Sequence, residues 1–384
     1  MIRRRVGVPA FGVVALLAGA ACGSSTASLA PLEWQKVPGG GPDGSVLGLG
    51  APGSFDERGN FTVTAFKDGD VIRLYYGGAD ATGTCHPGIN TSHWRPGLAT
   101  STDGLTFTRQ PGPATGGALL ENGDAGKFDS FLTYRPFVLK DGSVYRMWYN
   151  GSQKPFNNCN VSPAGPARLA NDRRIGYAES TDGLNFTKHY DGFGPGGSVL
   201  PLGGPGEIDE QQVGYVWVIK DGAEYKMFYS ANDANNFWRV GLATSSDAHI
   251  WTKVRSKSAN GAVLDLGPQG AFDVACAYQP TVVKEKATLY RMWYRGCQSS
   301  AATVGGPSLG VIGYAESNDG ITWVKIPQSG TGGAALTAGS AGQFDSLGLT
   351  TPSVFLDGAT WNMYYAGFDS TGRFLSGLAQ AANR

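Results

Sequence analysis

Val144-Tyr145-Arg146-Met147-Trp148-Tyr149-Asn150-Gly151 is the stretch that decides the fold, because it recurs. Val71 to Gly78, Glu224 to Ala231, Leu289 to Gly296 and Thr360 to Gly367 repeat its pattern of aromatic, Met and small positions, giving five copies in 384 residues. Side chains alternate between the faces of a strand, so Tyr145, Met147 and Tyr149 share one face while Arg146 and Trp148 share the other. Large side chains on both faces suit a sheet covered on both sides. Each copy leads into a Gly-centred run: Gly97-Leu98-Ala99, Gly176-Tyr177-Ala178, Gly241-Leu242-Ala243, Gly313-Tyr314-Ala315 and Gly377-Leu378-Ala379. In four copies an Asp then precedes an aromatic residue, as Asp103/Phe107, Asp182/Phe186, Asp247/Trp251 and Asp319/Trp323.

From Trp34 through Phe107, Phe186 and Trp251 to Trp323 the steps are 73, 79, 65 and 72 residues. A unit of that length suits a four-stranded propeller blade with long loops. Strand A follows each Phe-Asp or Ile-Asp pair, strand B carries the aromatic template, C is the Gly-centred run, and D holds the outer aromatic. The fifth copy stops before a strand D, and Leu32-Glu33-Trp34-Gln35-Lys36-Val37 matches the missing element. The expected fold is therefore all-β: a five-bladed β-propeller of four-stranded antiparallel blades, closed by the N-terminal strand completing blade five. Such closure removes an exposed sheet edge. No sustained helical period occurs in the mature chain.

Ahead of the repeat, Arg3, Arg4 and Arg5 precede an apolar run from Val6 to Ala21, the layout of a secretory signal. The run is short and rich in Gly and Ala for a membrane span. Leu17-Ala18-Gly19-Ala20-Ala21-Cys22 resembles a bacterial lipobox, with Gly19 where a bulkier residue is usual. The reading is a signal peptide over 1–21, a tether over 22–31 with Cys22 lipidated, and a single propeller domain over 32–384. The alternative is simple cleavage near Ala21 and secretion. Charged residues are 16% of the chain and Lys+Arg equals Asp+Glu at 31 each, which gives no global field to attract nucleic acid. Membrane contact is expected only through the lipid anchor, and a monomer is expected.

Four cysteines remain in a compartment that permits disulfides. Cys276 and Cys297 flank an A/B hairpin that would set them opposite each other, so a bridge is expected there. Cys85 and Cys159 follow strand B in adjacent blades and could staple their loops. A metal held by Cys85, His86 and His93 is the weaker alternative, since the spacing matches no short ligand pattern. No cofactor is expected, with a structural cation on the axis left as an alternative.

A propeller binds its ligand over the axis, so residues present in one blade alone carry more functional information than residues repeated in all five. The acids Asp56, Asp129, Asp209, Asp273 and Asp345 recur and read as turn or backbone caps. Alignment on Pro136, Pro280 and Pro352 directs Thr62, Arg135, Tyr215, Gln279 and Thr351 to the axis. An axial Arg suits an anionic or hydroxyl-rich ligand. Singular features are Glu207-Ile208-Asp209-Glu210, Asp56-Glu57, His93-Trp94-Arg95 and Trp238. Carboxylates serve glycosidic cleavage and Trp faces stack on sugars, while Trp94 and Trp238 would serve packing equally well.

The unit in which Phe-Asp leads to Arg135-Pro136-Phe137-Val138, then Tyr145-Arg146-Met147-Trp148-Tyr149-Asn150-Gly151 and Ile175-Gly176-Tyr177-Ala178-Glu179-Ser180-Thr181-Asp182-Gly183, resembles the five-bladed arabinanase/levansucrase/invertase superfamily. The resemblance covers the mature chain and implies a glycoside hydrolase, of families 43, 32 and relatives, acting on furanosides or pentosides in an axial pocket. It implies three acids, for which Asp56, Asp129 and Glu210 are the candidates and Glu57 and Glu207 the alternates. Where that superfamily places an acid before the strand-A Pro, this chain has Thr62, Arg135 and Tyr215. Substrate contacts are expected from Arg135, Tyr215, Gln279, Thr62, His93, Trp94 and Trp238, with an oligo- or polysaccharide as partner. Two other readings stand beside the hydrolase. One is a non-catalytic glycan-binding surface lipoprotein. The other is a sialidase-like hydrolase, suggested by Ser101-Thr102-Asp103-Gly104-Leu105-Thr106-Phe107, which looks like an Asp-box one residue short.

Overall fold

A computed structural model describes residues 31–383 apart from 82–83, 87–88, 91–92, 155–171, 259 and 299–309. Cys22, Cys159 and the side chains of Thr62, Cys85 and His86 lie outside the described part. Expectations about lipidation, the Cys85–Cys159 staple and the metal alternative therefore concern residues not described.

The fold is all-β and propeller-like. The chain enters with the short strand β1 (Gln35–Val37), and the first four-stranded sheet follows in the order β2 (Gly59–Asp68), β3 (Val71–Ala79), β6 (Trp94–Ser101) and β7 (Thr108–Gln110). A separate ribbon, β4 (Thr84–His86) and β5 (Ile89–Asn90), lies between β3 and β6 in sequence. The second sheet is β8 (Leu132–Asp141), β9 (Val144–Ser152), β10 (Arg174–Ser180) and β11 (Thr187–His189). The third is β12 (Gln212–Asp221), β13 (Glu224–Asn232), β14 (Trp238–Ser245) and β15 (Thr252–Val254). The fourth is β16 (Cys276–Lys286), β17 (Leu289–Cys297), β18 (Val311–Ser317) and β19 (Val324–Lys325), joined to the third by a single parallel bridge, Trp238 to Cys276. The last is β20 (Gly348–Asp357), β21 (Thr360–Phe368) and β22 (Phe374–Ala382), and β1 pairs antiparallel with β22, Lys36 opposite Ala379.

The outer aromatics show how the sheets are ordered. Phe107 packs on Tyr364, Phe186 on Tyr75, Trp251 on Trp148, Trp323 on Phe228 and Trp34 on Trp293, with ring centroids 5.5 to 6.3 Å apart. Each is a T-shaped contact from one sheet's outer edge to the strand-B face of the sheet before it. This explains why the template is large on both faces: Trp148, Trp293 and Tyr364 are covered from two sides. Hydrogen bonds join the innermost strands in the same cyclic order. Thr64 Oγ1 donates to the Pro136 carbonyl at 2.9 Å, Trp217 Nε1 to the Val282 carbonyl at 2.7 Å, and the Ala65 N–H to Ser353 Oγ at 2.8 Å.

Turn chemistry ends strand C in the four complete repeats. Asp103, Asp182, Asp247 and Asp319 each accept the N–H groups two and three residues on, and Ser101, Ser180, Ser245 and Ser317 bond the same turns. Those N–H donors hold the Asp103 and Asp182 carboxyls below the usual range. In the fourth sheet Cys276 lies directly opposite Cys297, and the two form a disulfide.

Candidate site at the inner strands

Each innermost strand loses register once near its start, for example between Tyr134 and Phe137 and between Gly214 and Trp217. At that step Arg135, Tyr215, Gln279 and Thr351 take left-handed backbone conformations, with φ of 56°, 48°, 55° and 47°. A non-Gly residue held there costs on the order of 1–3 kcal/mol, so surrounding contacts must enforce it. Side chains bond the displaced amides. The Tyr215 N–H donates to Asn150 Oδ1 at 2.9 Å, the Gln279 N–H to Ser230 Oγ at 2.9 Å, and the Thr351 N–H to Gln279 Oε1 at 3.1 Å. Asn150 and Ser230 hold the same place in the strand-B template, one sheet earlier than the amide each serves. In the fourth sheet that place belongs to Arg295, which carries no acceptor. Gln279 takes over the accepting role there.

The bulges turn Arg135, Tyr215, Gln279 and Thr351 toward one another around a cavity of about 30 Å³, with Pro136, Pro280, Pro352 and Trp217 also in its wall. The Arg135 guanidinium lies 3.9 Å from the Tyr215 ring centroid and 4.8 Å from that of Phe61. Arg173 lies 4.6 Å from the same Tyr215 ring and 5.2 Å from Trp238, and its Nε donates to Tyr134 Oη at 2.7 Å. Arg295 Nη1 donates to Tyr278 Oη at 2.9 Å. Tyr215, Trp238 and Tyr278 form one aromatic group with centroids 5.1 to 5.8 Å apart. Trp94 adjoins it through Phe61, at 3.7 Å, and Tyr134, at 6.0 Å.

Three cations gather here without a salt-bridge partner among the described residues. Every Asp and Glu of the chain lies among the described residues, and none comes within 4.0 Å of the nitrogens of Arg135, Arg173 or Arg295. Burial lowers the Arg135 guanidinium, with Arg173 adding repulsion. Burial alone would raise the Tyr215 phenol, but the attraction of Arg135, Arg173 and Arg295 outweighs it and the phenol falls below its ordinary value. Tyr134 and Tyr278 are raised, by burial foremost.

The candidate acids are engaged elsewhere. Asp56 accepts from Tyr76 Oη at 3.0 Å and Arg109 Nε at 2.7 Å, and Asp129 from Tyr149 Oη at 3.0 Å and Lys188 Nζ at 2.6 Å. Asp209 pairs in the same way with Tyr229 and Lys253, Asp273 with Tyr294 and Lys325, and Asp345 with Tyr365 and Lys36. All five carboxylates are buried. Each is a node tying the A-strand approach to strands B and D, so the candidates Asp56 and Asp129 are both hydrogen-bonded and ion-paired. Glu57 accepts the N–H groups of Gly53 and Ala81, both at 2.9 Å. Glu207 accepts the Gly204 N–H and pairs with Arg255. Glu210 accepts the Gly206 N–H at 2.8 Å. His93 lies beside Asp80, whose Oδ1 accepts the His93 N–H at 3.0 Å.

Arg135, Tyr215, Gln279 and Trp238 are thus brought together as the sequence indicates, with Trp94 alongside. Arg173, Arg295, Tyr134 and Tyr278 join them unannounced. The two arginines did carry a signal. Arg295 stands where the other templates have Gly77, Asn150, Ser230 and Ala366, and Arg173 where the strand-C register elsewhere has Trp94, Trp238, Gly310 and Phe374.

No protein-family model matches the chain. An uncharacterized Mycobacterium tuberculosis protein, Rv1502, is 29% identical over 218 residues, a stretch spanning 56% of this chain and 60% of that relative. Among solved structures, one described as a glycoside hydrolase aligns with a TM-score of 0.63 at 15% identity, over 88% of this chain and 91% of its own. A member of the GH130 family of mannoside phosphorylases and glycoside hydrolases that target β-1,2-mannosidic linkages in Candida mannan aligns at 0.62 and 16% identity, over 92% and 97%. The β-1,2-mannobiose phosphorylase from Listeria innocua aligns at 0.59 and 13% identity, over 85% and 90%. At these identities the likeness is one of fold.

Proposed function

We propose that this chain is an exported carbohydrate-binding protein, a five-bladed propeller closed by its N-terminal strand, which holds a glycan over the axis. The observation that carries the reading is the composition of the inner wall. Tyr215 stands beside Arg135, Gln279 and Thr351 in the cavity wall, and Trp238, Tyr278, Arg173 and Arg295 pack behind it. Aromatic faces cover sugar C–H surfaces, and amide and guanidinium N–H groups bond hydroxyls. Glycosidic cleavage in most families requires two carboxyl groups flanking the bond, and none stands beside these arginines. The signal segment and Cys22 support a lipid anchor at the cell envelope, with secretion as the alternative.

A second reading, a glycoside hydrolase acting on furanosides or pentosides, is supported by the fold likeness to glycoside hydrolases. It would draw its acids from Glu57, Glu207 and Glu210, the candidates outside the five buried nodes. The two readings separate in one experiment. The mature protein is titrated with arabinan, xylan, fructan and β-1,2-mannoside oligosaccharides while product release is followed. Binding that is lost in Trp238→Ala, with no product, supports the binding protein. Product formation that is lost in Glu210→Gln overturns it in favour of the hydrolase.

A further inference from the structure

Resting on the reading of this site as a glycan site, we infer that its ligand is an acidic sugar, whose oxyanion is held by Arg135, Arg173 and Arg295. Three observations lead there independently of the aromatic wall. First, all three guanidinium groups adjoin one connected group of rings: Arg135 and Arg173 stack on Tyr215 and Arg295 bonds Tyr278, whose centroid is 5.6 Å from that of Tyr215. Second, no described Asp or Glu oxygen lies within 4.0 Å of their nitrogens. Third, their N–H groups are not used up. Arg135 Nε and Nη1, Arg173 Nη1, Arg295 Nε and Gln279 Nε2 are buried and have no hydrogen-bond acceptor among the described residues. Arg173 is 4% exposed and Gln279 3%, so water does not compensate them freely.

A structural role explains this poorly. Several other inward-facing cations have an acid: Lys188 has Asp129, Arg291 has Glu285, and Arg239 has Asp233 and Asp265. Arg173 spends one N–H on Tyr134 and Arg295 one on Tyr278, and the remaining N–H groups of the three guanidiniums are left as donors among the described residues. The guanidinium edge is a donor fork matched to a planar or tetrahedral oxyanion. Buried cations without a partner are costly and are retained where a ligand supplies the opposite charge.

The same fork chemistry would accept free phosphate. The surroundings favour an anion carried on a sugar, because the guanidinium groups are set among the rings of Tyr215, Trp238 and Tyr278 rather than in an all-polar cradle. A carboxylated monosaccharide carries both chemistries, an oxyanion for the guanidinium groups and C–H faces for the rings.

Calorimetric titration of the mature protein tests this with four probes: glucuronate, its neutral methyl ester, glucose and inorganic phosphate. The expected result is that glucuronate binds at least about tenfold more tightly than its ester or glucose, since a hydrogen bond to a charged group is stronger than one to a neutral group. Raising the salt concentration should weaken only the charged ligand. Arg295→Met should bring glucuronate and the ester to similar affinity, and the ester comparison on the unaltered protein serves if that variant fails to fold. Equal binding of glucuronate, ester and glucose would overturn the inference while leaving the glycan reading intact. Phosphate binding without any sugar binding would overturn both.

Discussion

The guanidinium carbon of Arg135 stands 3.9 Å from the centroid of the Tyr215 ring, joining two adjacent innermost strands through residues that both have left-handed backbone. The contact places a cation on the face of a phenol that two further arginines also influence. Removing Arg135 should therefore raise the Tyr215 phenol toward or above its ordinary value, because burial then meets less opposition. Absorbance titration at the tyrosinate band should show the earliest-ionising step move to higher pH in Arg135→Met and vanish in Tyr215→Phe. An unmoved first step in Arg135→Met would contradict the assignment.

Trp34 and Lys36 connect the N-terminal strand to the last sheet and its neighbour, through Trp293 and Asp345. Trp34→Ala should cost about 3–5 kcal/mol, the usual range for a buried Trp truncated to Ala. Lys36→Met should cost about as much by leaving Asp345 charged, buried and short of its cation. Chemical denaturation of the two variants measures both, and losses below about 1 kcal/mol would mean the strand is not integral to the ring.

The buried Asp nodes predict a separation of stability from binding. Lys188→Met should destabilise the protein by about 3–5 kcal/mol, since it strands the Asp129 carboxylate. Glycan affinity of the folded fraction should be unchanged, because Asp129 is occupied by Tyr149, Tyr190 and Lys188 away from the arginine group. A selective loss of binding or turnover at full stability would restore a functional role to Asp129.

Acid should unfold the molecule partly through the A/B turns. Bonds from Lys220 and Tyr225 of the next sheet, and from Arg146, hold the Asp141 carboxyl at about 2, below its ordinary 3.8. Asp68 is also lowered, by Lys140, Tyr145 and Arg73 against the opposing effect of burial. A folded-state value below the unfolded one means this stability is fully present above about pH 4 and is lost as pH falls toward 2. Asp141→Asn should flatten the acid limb of the stability profile between pH 2 and 4, read from denaturation midpoints across pH. An unchanged slope would remove Asp141 from the account.

Reducing the Cys276–Cys297 bridge, which spans a sequence separation of 21, should cost about 3 kcal/mol on the chain-entropy account. Both cysteines pack with Trp238 and Tyr278. The paired Cys276→Ala, Cys297→Ala variant should therefore lose glycan affinity as well as stability, measured by the titrations above. Loss of neither would show the bridge to be incidental to the site.

Much of the ring was legible in sequence because it is built from repetition. A strand that needs cover on both faces must be large on both, so Tyr145, Met147, Trp148 and Tyr149 and their counterparts announce it in each copy. Trp34 could be assigned to the last sheet because its outer position has the same neighbour requirement as Trp251 and Trp323. The recurring Asp positions were also visible as scaffold, yet their partners were not: Asp129 meets Lys188 across 59 positions and Asp345 meets Lys36 across 309. Distance along the chain hid what cancels each charge.

What the sequence by itself determined was therefore the repeat, its alternation of faces and the kinship of the Trp34 strand to the outer strands of the other sheets, since local spacing and the two-residue period of a strand dictate them. What only the tertiary structure decided was which charges are balanced. Arg173 and Arg295 look like ordinary strand-end arginines until the bulges and the ring arrangement bring them to Tyr215 and Tyr278. Asp56 and Asp129 look like available acids until Arg109 and Lys188 are found on them. Coulomb interactions act through space between strands far apart in the chain, so only the tertiary structure shows that Asp56 and Asp129 are ion-paired while Arg135, Arg173 and Arg295 have no acid within 4.0 Å among the described residues.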